Sequence, residues 1–278
     1  MKVLVNNNVN KDGQAIKGLK KLTNARDIGG YVTDSGKAIK KGMILRSSEL
    51  SKASIEDIKI LEEEYKISKI IDIRDFNEQK LAPDPKIKNA ENIFINMYQC
   101  KENLNLSNFK KLFKNATGSI GDMIKLLEVK TIEDRVCVNL INDMNIQNKI
   151  HDIFKILLNN KKGSVLIHCK RGNTRVGVVC ALILYVLGVD IVTIFKDFQL
   201  SNEFYRESID YYKTKVAHFT DDDEIIKGVE VIEGTDVKFL EEAFLCIEAK
   251  WGSIEDYIRE AIGVKSEEIN LLRSKYLK

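Results

Sequence analysis

The stretch Val165-Leu166-Ile167-His168-Cys169-Lys170-Arg171-Gly172-Asn173-Thr174-Arg175-Val176-Gly177 decides the fold. Gly163-Ser164 closes a polar run, the apolar residues Val165 to Ile167 predict a short buried strand, and Val176 to Leu187, rich in Val, Ala, Ile and Leu, predicts a buried helix. The loop between them is the N-terminal mouth of a helix. There the first backbone N–H groups lack intrahelical partners and the helix dipole adds partial positive charge, which suits a phosphate dianion. The same field favours a thiolate at Cys169, making it a candidate nucleophile near neutral pH. Arg175 offers a planar fork for two phosphoryl oxygens. Lys170, Arg171, Gly172, Asn173 and Thr174 complete the candidate phosphate-binding set with Arg175, and His168 is expected to orient the loop by hydrogen bonding rather than to act as an acid.

Composition sets broad bounds. The 278 residues, 44% hydrophobic and 31% charged, suffice for a sizeable core. A net charge of +3 is the small difference between 44 basic and 41 acidic residues. It gives no case for nucleic acid, and Lys20-Lys21, Lys40-Lys41 and Lys110-Lys111 read as solvated faces. The start, Met1 to Asn8, has no apolar signal region, and no stretch approaches the roughly 20 apolar residues of a membrane span. A cytoplasmic address is the expectation, with signal-independent export left open. Five widely spaced cysteines (Cys100, Cys137, Cys169, Cys180, Cys246) without a C-x-x-C suggest neither a disulfide framework nor a metal site. No cofactor is implied. Cys180 is either a small buried helix residue, the favoured reading, or a trap for oxidised Cys169.

With two prolines and no low-complexity linker, the chain reads as a peripheral segment over residues 1–17 followed by a single domain over 18–278. Arg26 to Tyr31 reads as a turn. Ser54-Ile55-Glu56-Asp57 has capping-box spacing and opens a helix through Ile58, Leu61 and Tyr65. Ser68 to Arg74 and Asn92 to Met97 read as strands. Apolar periodicity at Phe109, Leu112 and Phe113, at Met123, Leu126 and Leu127, and at Ile150, Ile153, Phe154 and Leu157 suggests several helices broken near Thr117 to Gly121. This insertion, about 104–160, is a candidate lid. Helices are then predicted over Ile191–Leu200, Glu203–Val216, Asp236–Trp251 and Ser253–Ile262. Few strands, many helices and strand-then-helix order predict an α/β fold.

The loop with its His, Cys, Gly and Arg resembles the signature of the cysteine-dependent protein tyrosine phosphatase superfamily. Asn24-Ala25-Arg26-Asp27-Ile28-Gly29-Gly30-Tyr31, Leu45-Arg46-Ser47-Ser48-Glu49-Leu50-Ser51, Asp72-Ile73-Arg74-Asp75-Phe76-Asn77-Glu78 with Ala82-Pro83-Asp84-Pro85, Ser201-Asn202-Glu203 and Trp251 to Ile258 resemble, in order, segments of one branch. That branch is the bacterial tyrosine phosphatase family with mycobacterial and listerial enzymes acting on phosphotyrosine and phosphoinositides. The resemblance implies a central mostly parallel sheet flanked by helices, with a helical lid or insertion and a helical C-terminal part. It implies a metal-independent cysteine phosphatase working through a phosphocysteine. Its substrates would be phosphotyrosine on proteins, with dual specificity open, or alternatively a phosphoinositide or inositol phosphate. Arg26-Asp27 and Asp72-Arg74 read as ion-paired scaffolding under the loop.

Departures accompany the matches. The family loop is usually H-C-x-x-G-K-D-R-T-G; here Asn173, Thr174 and Val176 replace its Lys, Asp and Thr. Lys170 and Arg171 either make up for the missing charge or point to solvent. The hydroxyl after Arg175, which helps the thiolate leave the phosphoenzyme, is missing, with Thr174 as a possible substitute. Relatives place an aspartate after the strand corresponding to Asn92–Met97, where this chain has Tyr98-Gln99-Cys100-Lys101-Glu102. Glu102 and Asp75 are the remaining candidate acids, Asp75 reading first as a loop-start residue. Rival expectations are a phosphate-binding pseudophosphatase with poor turnover and, disfavoured by the flanking matches, a sulfurtransferase or arsenate reductase.

Overall fold

The computed structural model describes residues 7–97 and 136–278. Its sheet consists of β1 (Arg26–Asp27), β2 (Ile44–Ser47), β3 (Ile67–Asp72), β4 (Glu91–Phe94) and β5 (Ser164–His168), in the spatial order β1-β2-β5-β3-β4. β5 lies between β2 and β3, parallel to both. β4 is parallel to β3, and only β1 runs antiparallel. A central parallel strand is covered on both faces, which is why Val165, Leu166 and Ile167 are apolar without alternation. Each successive side chain enters a different core. Ile44, Ile71, Val165 and Ile167 face the larger cluster, whereas Leu45, Ile70 and Leu166 meet Leu61, Ile16 and Leu22 on the other face.

The α-helices of four residues or more among the described residues are α1 (Lys11–Gln14), α2 (Ile55–Glu63), α3 (Phe76–Leu81), α4 (Val136–Asn142), α5 (Met144–Asn159), α6 (Thr174–Val186), α7 (Ile191–Gln199), α8 (Ser201–Phe204), α9 (Arg206–Val216), α10 (Asp223–Glu233), α11 (Val237–Trp251) and α12 (Ser266–Tyr276), and between α11 and α12 lie a helical turn at Ile254–Asp256 and a π-helical turn at Tyr257–Ala261. The mixed α/β architecture, with a mostly parallel sheet and a helical C-terminal part, is as expected. The capping box at Ser54 is present, Ser54 Oγ accepting from Asp57 N at 3.1 Å and an Asp57 oxygen from Ser54 N at 3.1 Å. No helix among the described residues is long and apolar enough to cross a membrane.

Several local expectations are corrected. Arg26-Asp27 is a strand rather than part of a turn, because Arg26 and Asp27 pair with Arg46 and Leu45. The helix expected from Glu203 to Val216 is divided at Tyr205. α6 begins at Thr174, two residues earlier than its apolar run, so Thr174 and Arg175 form its first turn. α10 and α12 went unread. α10 carries Ile225, Ile226, Val229, Val231 and Ile232, and Asp222 caps it by accepting from Glu224 N and Ile225 N. Asn7 of the segment expected at the periphery is buried, its amide donating to Val32 O at 3.0 Å and Thr193 Oγ1 at 3.1 Å. Of the candidate lid, α4 and α5 belong to the larger core, where Ile146, Ile150, Ile153, Phe154 and Leu157 present one buried stripe. Tyr98 to Glu102, the Phe109 to Leu127 periodicity, the break at Thr117–Gly121 and Lys110-Lys111 lie outside the described residues.

Candidate active site

β5 ends at His168, α6 begins at Thr174, and the chain turns between them over the carboxyl ends of the parallel strands. Gly172 makes this possible: its φ is +67°, and an added Cβ would lie 2.5 Å from the Ser47 carbonyl oxygen. Gly177 serves the next turn, where a Cβ would lie 2.5 Å from the Phe198 ring. Cys169 is buried at the start of the loop, 3% exposed.

The loop is held from outside by its carbonyls. Glu49 N donates to Lys170 O at 3.2 Å, while Asn24 Nδ2 and Tyr205 Oη donate to Arg171 O at 3.1 and 2.8 Å. Arg46 Nη2 donates to Gly172 O at 2.8 Å and Asn173 O at 3.3 Å. In a trans peptide, C=O and the following N–H point in opposite directions. Outward carbonyls therefore turn the next N–H groups inward. Among the described residues, no backbone N–H from Lys170 to Arg175 donates to a protein acceptor. The loop is thus a cradle of unspent donors at a helix N-terminus.

Arg175 reaches over this cradle from the first turn of α6. Its Nη1 and Nη2 donate to Glu78 Oε2 and Oε1 at 2.6 and 3.0 Å. Burial disfavours its charge, but the Cys169 sulfur and Glu78 together hold its pKa above the ordinary guanidinium value. Partial burial likewise disfavours the Glu78 charge, yet Arg175, Asp75 N–H and Lys170 keep its carboxyl below the usual range. Glu78 is fixed by a capping box at α3, accepting from Asp75 N at 3.0 Å while Asp75 Oδ1 accepts from Glu78 N at 2.8 Å. Asp75 is therefore a helix cap, the favoured of its two readings.

Two buried ionic clusters brace the loop. Asp197 on α7 accepts from Arg46 Nη1 at 2.9 Å, from Arg26 Nε at 3.3 Å and from Tyr31 Oη at 3.1 Å. Burial disfavours its charge, but Arg26 and Arg46 depress its pKa below the ordinary carboxylate value. Burial and the neighbouring Arg46 lower the Arg26 pKa. On the other side, Arg74 meets Asp72 at 2.8 Å, Asp84 at 2.9 Å and Glu49 at 3.5 Å. His168 Nε2 shares a 2.8 Å hydrogen bond with Asp84 Oδ2. Ligand atoms of Asp72, Asp84 and His168 converge within 4.8 Å, and the cation that meets the two carboxylates is the Arg74 guanidinium. Scaffolding was the expected role of Arg26 and of Asp72-Arg74. Asp27, though, binds Gly29 N and Gly42 N at 2.8 and 2.6 Å rather than Arg26.

The remaining predicted positions separate. Lys170 is exposed, and Thr174 is half-buried. Arg171 points away toward Glu233, at 3.0 Å. Asn173 donates to Gly234 O at 2.8 Å and accepts from Asn24 at 2.8 Å, so its side chain belongs to the scaffold. Glu102 lies outside the described residues. Sequence reasoning assigned no role to Arg46 or Glu78, although both stood in quoted segments, and it missed Asp197 and Glu233. Asp197 had a signal: an acid in register with Thr193, Ile194 and Phe198 on the buried stripe of α7.

Unspent backbone N–H groups between a parallel strand and a helix, beside an arginine and a buried cysteine, make a candidate anion site in an α/β domain. The chain belongs to the tyrosine phosphatase family, whose model matches residues 17–278. It is 22% identical over 258 residues to a Cupriavidus necator protein named "Putative tyrosine-protein phosphatase", with 92% of this chain and 86% of that protein covered. Membership supports a phosphatase.

Proposed function

We propose that the protein is a metal-independent cysteine phosphatase acting on phosphomonoesters, foremost phosphotyrosine on proteins. The cradle carries the reading: unspent backbone N–H groups from Lys170 to Arg175, with Arg175 close enough to buried Cys169 for their charges to interact. The Cys169 sulfur attacks phosphorus in line, forming S–P as the P–O bond to the leaving group breaks. Arg175 and the loop N–H groups hold the equatorial oxygens, where negative charge is spread in the transition state. Glu78 holds the Arg175 fork in place. A phenol leaves with little help, so an aryl phosphate is the substrate least dependent on a general acid. Water then hydrolyses phosphocysteine, releasing phosphate and the thiolate. Seryl and threonyl esters, as in a dual-specificity enzyme, would require protonation of a poorer leaving oxygen.

The test is release of p-nitrophenol from p-nitrophenyl phosphate with chelator present. The wild type turns over, and Cys169→Ser lowers kcat by about a thousandfold or more. Persisting activity in Cys169→Ser overturns the mechanism. Val176 favours a second reading, phosphate capture with poor turnover: it is fully buried where a hydroxyl would assist the departing sulfur. Phosphocysteine accumulating on intact protein after acid quench, with a single turnover, would select that reading.

A further inference from the structure

The loop carries three cations, Lys170, Arg171 and Arg175, and two carboxylates answer them. Glu78 grips Arg175. Glu233, at the end of α10, binds Arg171 through Oε2 at 3.0 Å and through its own carbonyl. Glu233 is only 8% exposed and accepts from Ser208 Oγ at 2.6 Å. The Arg171 guanidinium lies 4.4 Å from the centre of the Tyr205 ring, and its Nε is buried without an acceptor among the described residues. Residue 173 adds no charge, since the Asn173 amide is spent on Gly234 and Asn24. Three cations less two carboxylates leave one positive charge, which the Cys169 thiolate balances, so the loop holds no surplus cation for a second anionic group.

We infer that Glu233 is a specificity-determining residue: by holding Arg171 it restricts the site to substrates carrying one phosphate and disfavours polyphosphorylated ones such as inositol polyphosphates. This rests on the phosphomonoesterase reading above. A monophosphate dianion is met by Arg175 and the loop N–H groups. A second phosphate needs another cation, and Arg171 can supply it only by leaving Glu233 buried and unpaired, which costs free energy. Apart from the Glu233 carboxylate, the guanidinium is held only by the neutral Glu233 carbonyl and by the weak contact with the Tyr205 ring, because Nε has no partner among the described residues. Removing the Glu233 charge therefore frees Arg171 for the second anion.

Wild type and Glu233→Gln are compared by competitive inhibition of p-nitrophenyl phosphate hydrolysis, using inorganic phosphate and inositol hexakisphosphate at fixed ionic strength. In Glu233→Gln the inhibition constant for the hexakisphosphate is expected to fall about tenfold relative to that for phosphate. The amide still accepts from Ser208 and Arg171, which favours folding. An unchanged ratio overturns the inference, as does a wild type that binds the hexakisphosphate more tightly than phosphate; tighter wild-type binding of phosphate supports it even if the variant does not fold. Calorimetric titration of both ions separates the two readings. Without turnover the phosphatase reading falls, while the binding ratio still decides the role of Glu233.

Discussion

Behind Gly172 and Asn173 one carboxylate, Asp197, is shared by two guanidinium groups; beneath His168 one guanidinium, Arg74, is shared by three carboxylates. Both clusters are buried, and both brace the same loop. Their excess charges are opposite, and so are their points of contact. The arginine-rich cluster touches loop carbonyls directly through Arg46, leaving the loop N–H groups free and setting positive charge behind an anion site. The acid-rich cluster reaches the loop only through the imidazole of His168 and the neighbouring backbone. The buried carboxylates beside the proposed phosphate site are answered by Arg74 and His168, which stand between them and the loop.

Removing the shared member of each cluster should give the largest effects. Asp197→Ala leaves Arg26 and Arg46 buried without a counter-charge and should lose about 3–5 kcal/mol of stability at neutral pH. Arg74→Met should lose a similar amount. Acid then distinguishes them, because carboxylates can take protons and guanidinium cannot shed one. In Arg74→Met the folded protein binds more protons than the unfolded chain, so its deficit shrinks as pH falls. The Asp197→Ala deficit persists. The reference remains intact meanwhile: Asp197 has a depressed pKa, so its contribution is complete above the ordinary carboxylate range and is lost only as pH falls below it. Urea melts at about pH 7 and pH 5 check this, and parallel pH dependences in the two variants would break the comparison.

The clusters also show how far sequence reading reaches. Strand β5, the loop and α6 were legible because a buried apolar run, a glycine and a helix-forming run follow one another within a few residues. Cys169 and Arg175 came with that pattern. Partner choice did not. Arg26 was expected to pair with adjacent Asp27 but meets Asp197, 171 positions away, because β1 faces α7 only after the sheet forms. The Asn173 side chain is a brace, a role no local pattern announces, since its partners come from residues 24 and 234. α10, which delivers Glu233, went unread because its buried face is narrow, only Val229 and Glu233 being buried. Local periodicity and turn chemistry can be read along a chain, whereas the pairing of buried charges is decided by topology.

Within the arginine-rich cluster the two guanidinium groups should separate by function. Arg46 spans Asp197 and two loop carbonyls, a fork that an ammonium cannot reproduce. Arg26 meets Asp197, Asn24 and Ser201 without touching Gly172 or Asn173. Arg46→Lys should therefore lower kcat/KM for p-nitrophenyl phosphate by about tenfold or more, as a misplaced cradle would. Arg26→Lys should chiefly lower stability, by about 1–2 kcal/mol. Steady-state kinetics beside melts of both variants decide this, and a larger kinetic loss in Arg26→Lys would contradict the division.

The smallest effect belongs to a matched pair of substitutions. Asp84→Asn and Asp197→Asn exchange the same group for the same amide, at side chains that are 6% and 2% exposed. In the acid-rich cluster the change removes one negative charge where three stood against Arg74, and the amide oxygen still accepts from either Arg74 or His168. The lost charge–charge attraction is offset by less repulsion among Asp72, Asp84 and Glu49, so the net cost should be about 1 kcal/mol or less. In the arginine-rich cluster the same exchange removes the sole carboxylate between Arg26 and Arg46, leaving only repulsion between them, and should approach the cost of Asp197→Ala. If Asp84→Asn proves as damaging as Asp197→Asn, the excess of charge is not what separates the clusters. The decisive quantity would then be the hydrogen bond that holds the His168 ring beside Cys169, and Asp84→Asn should lower kcat as much as it lowers stability.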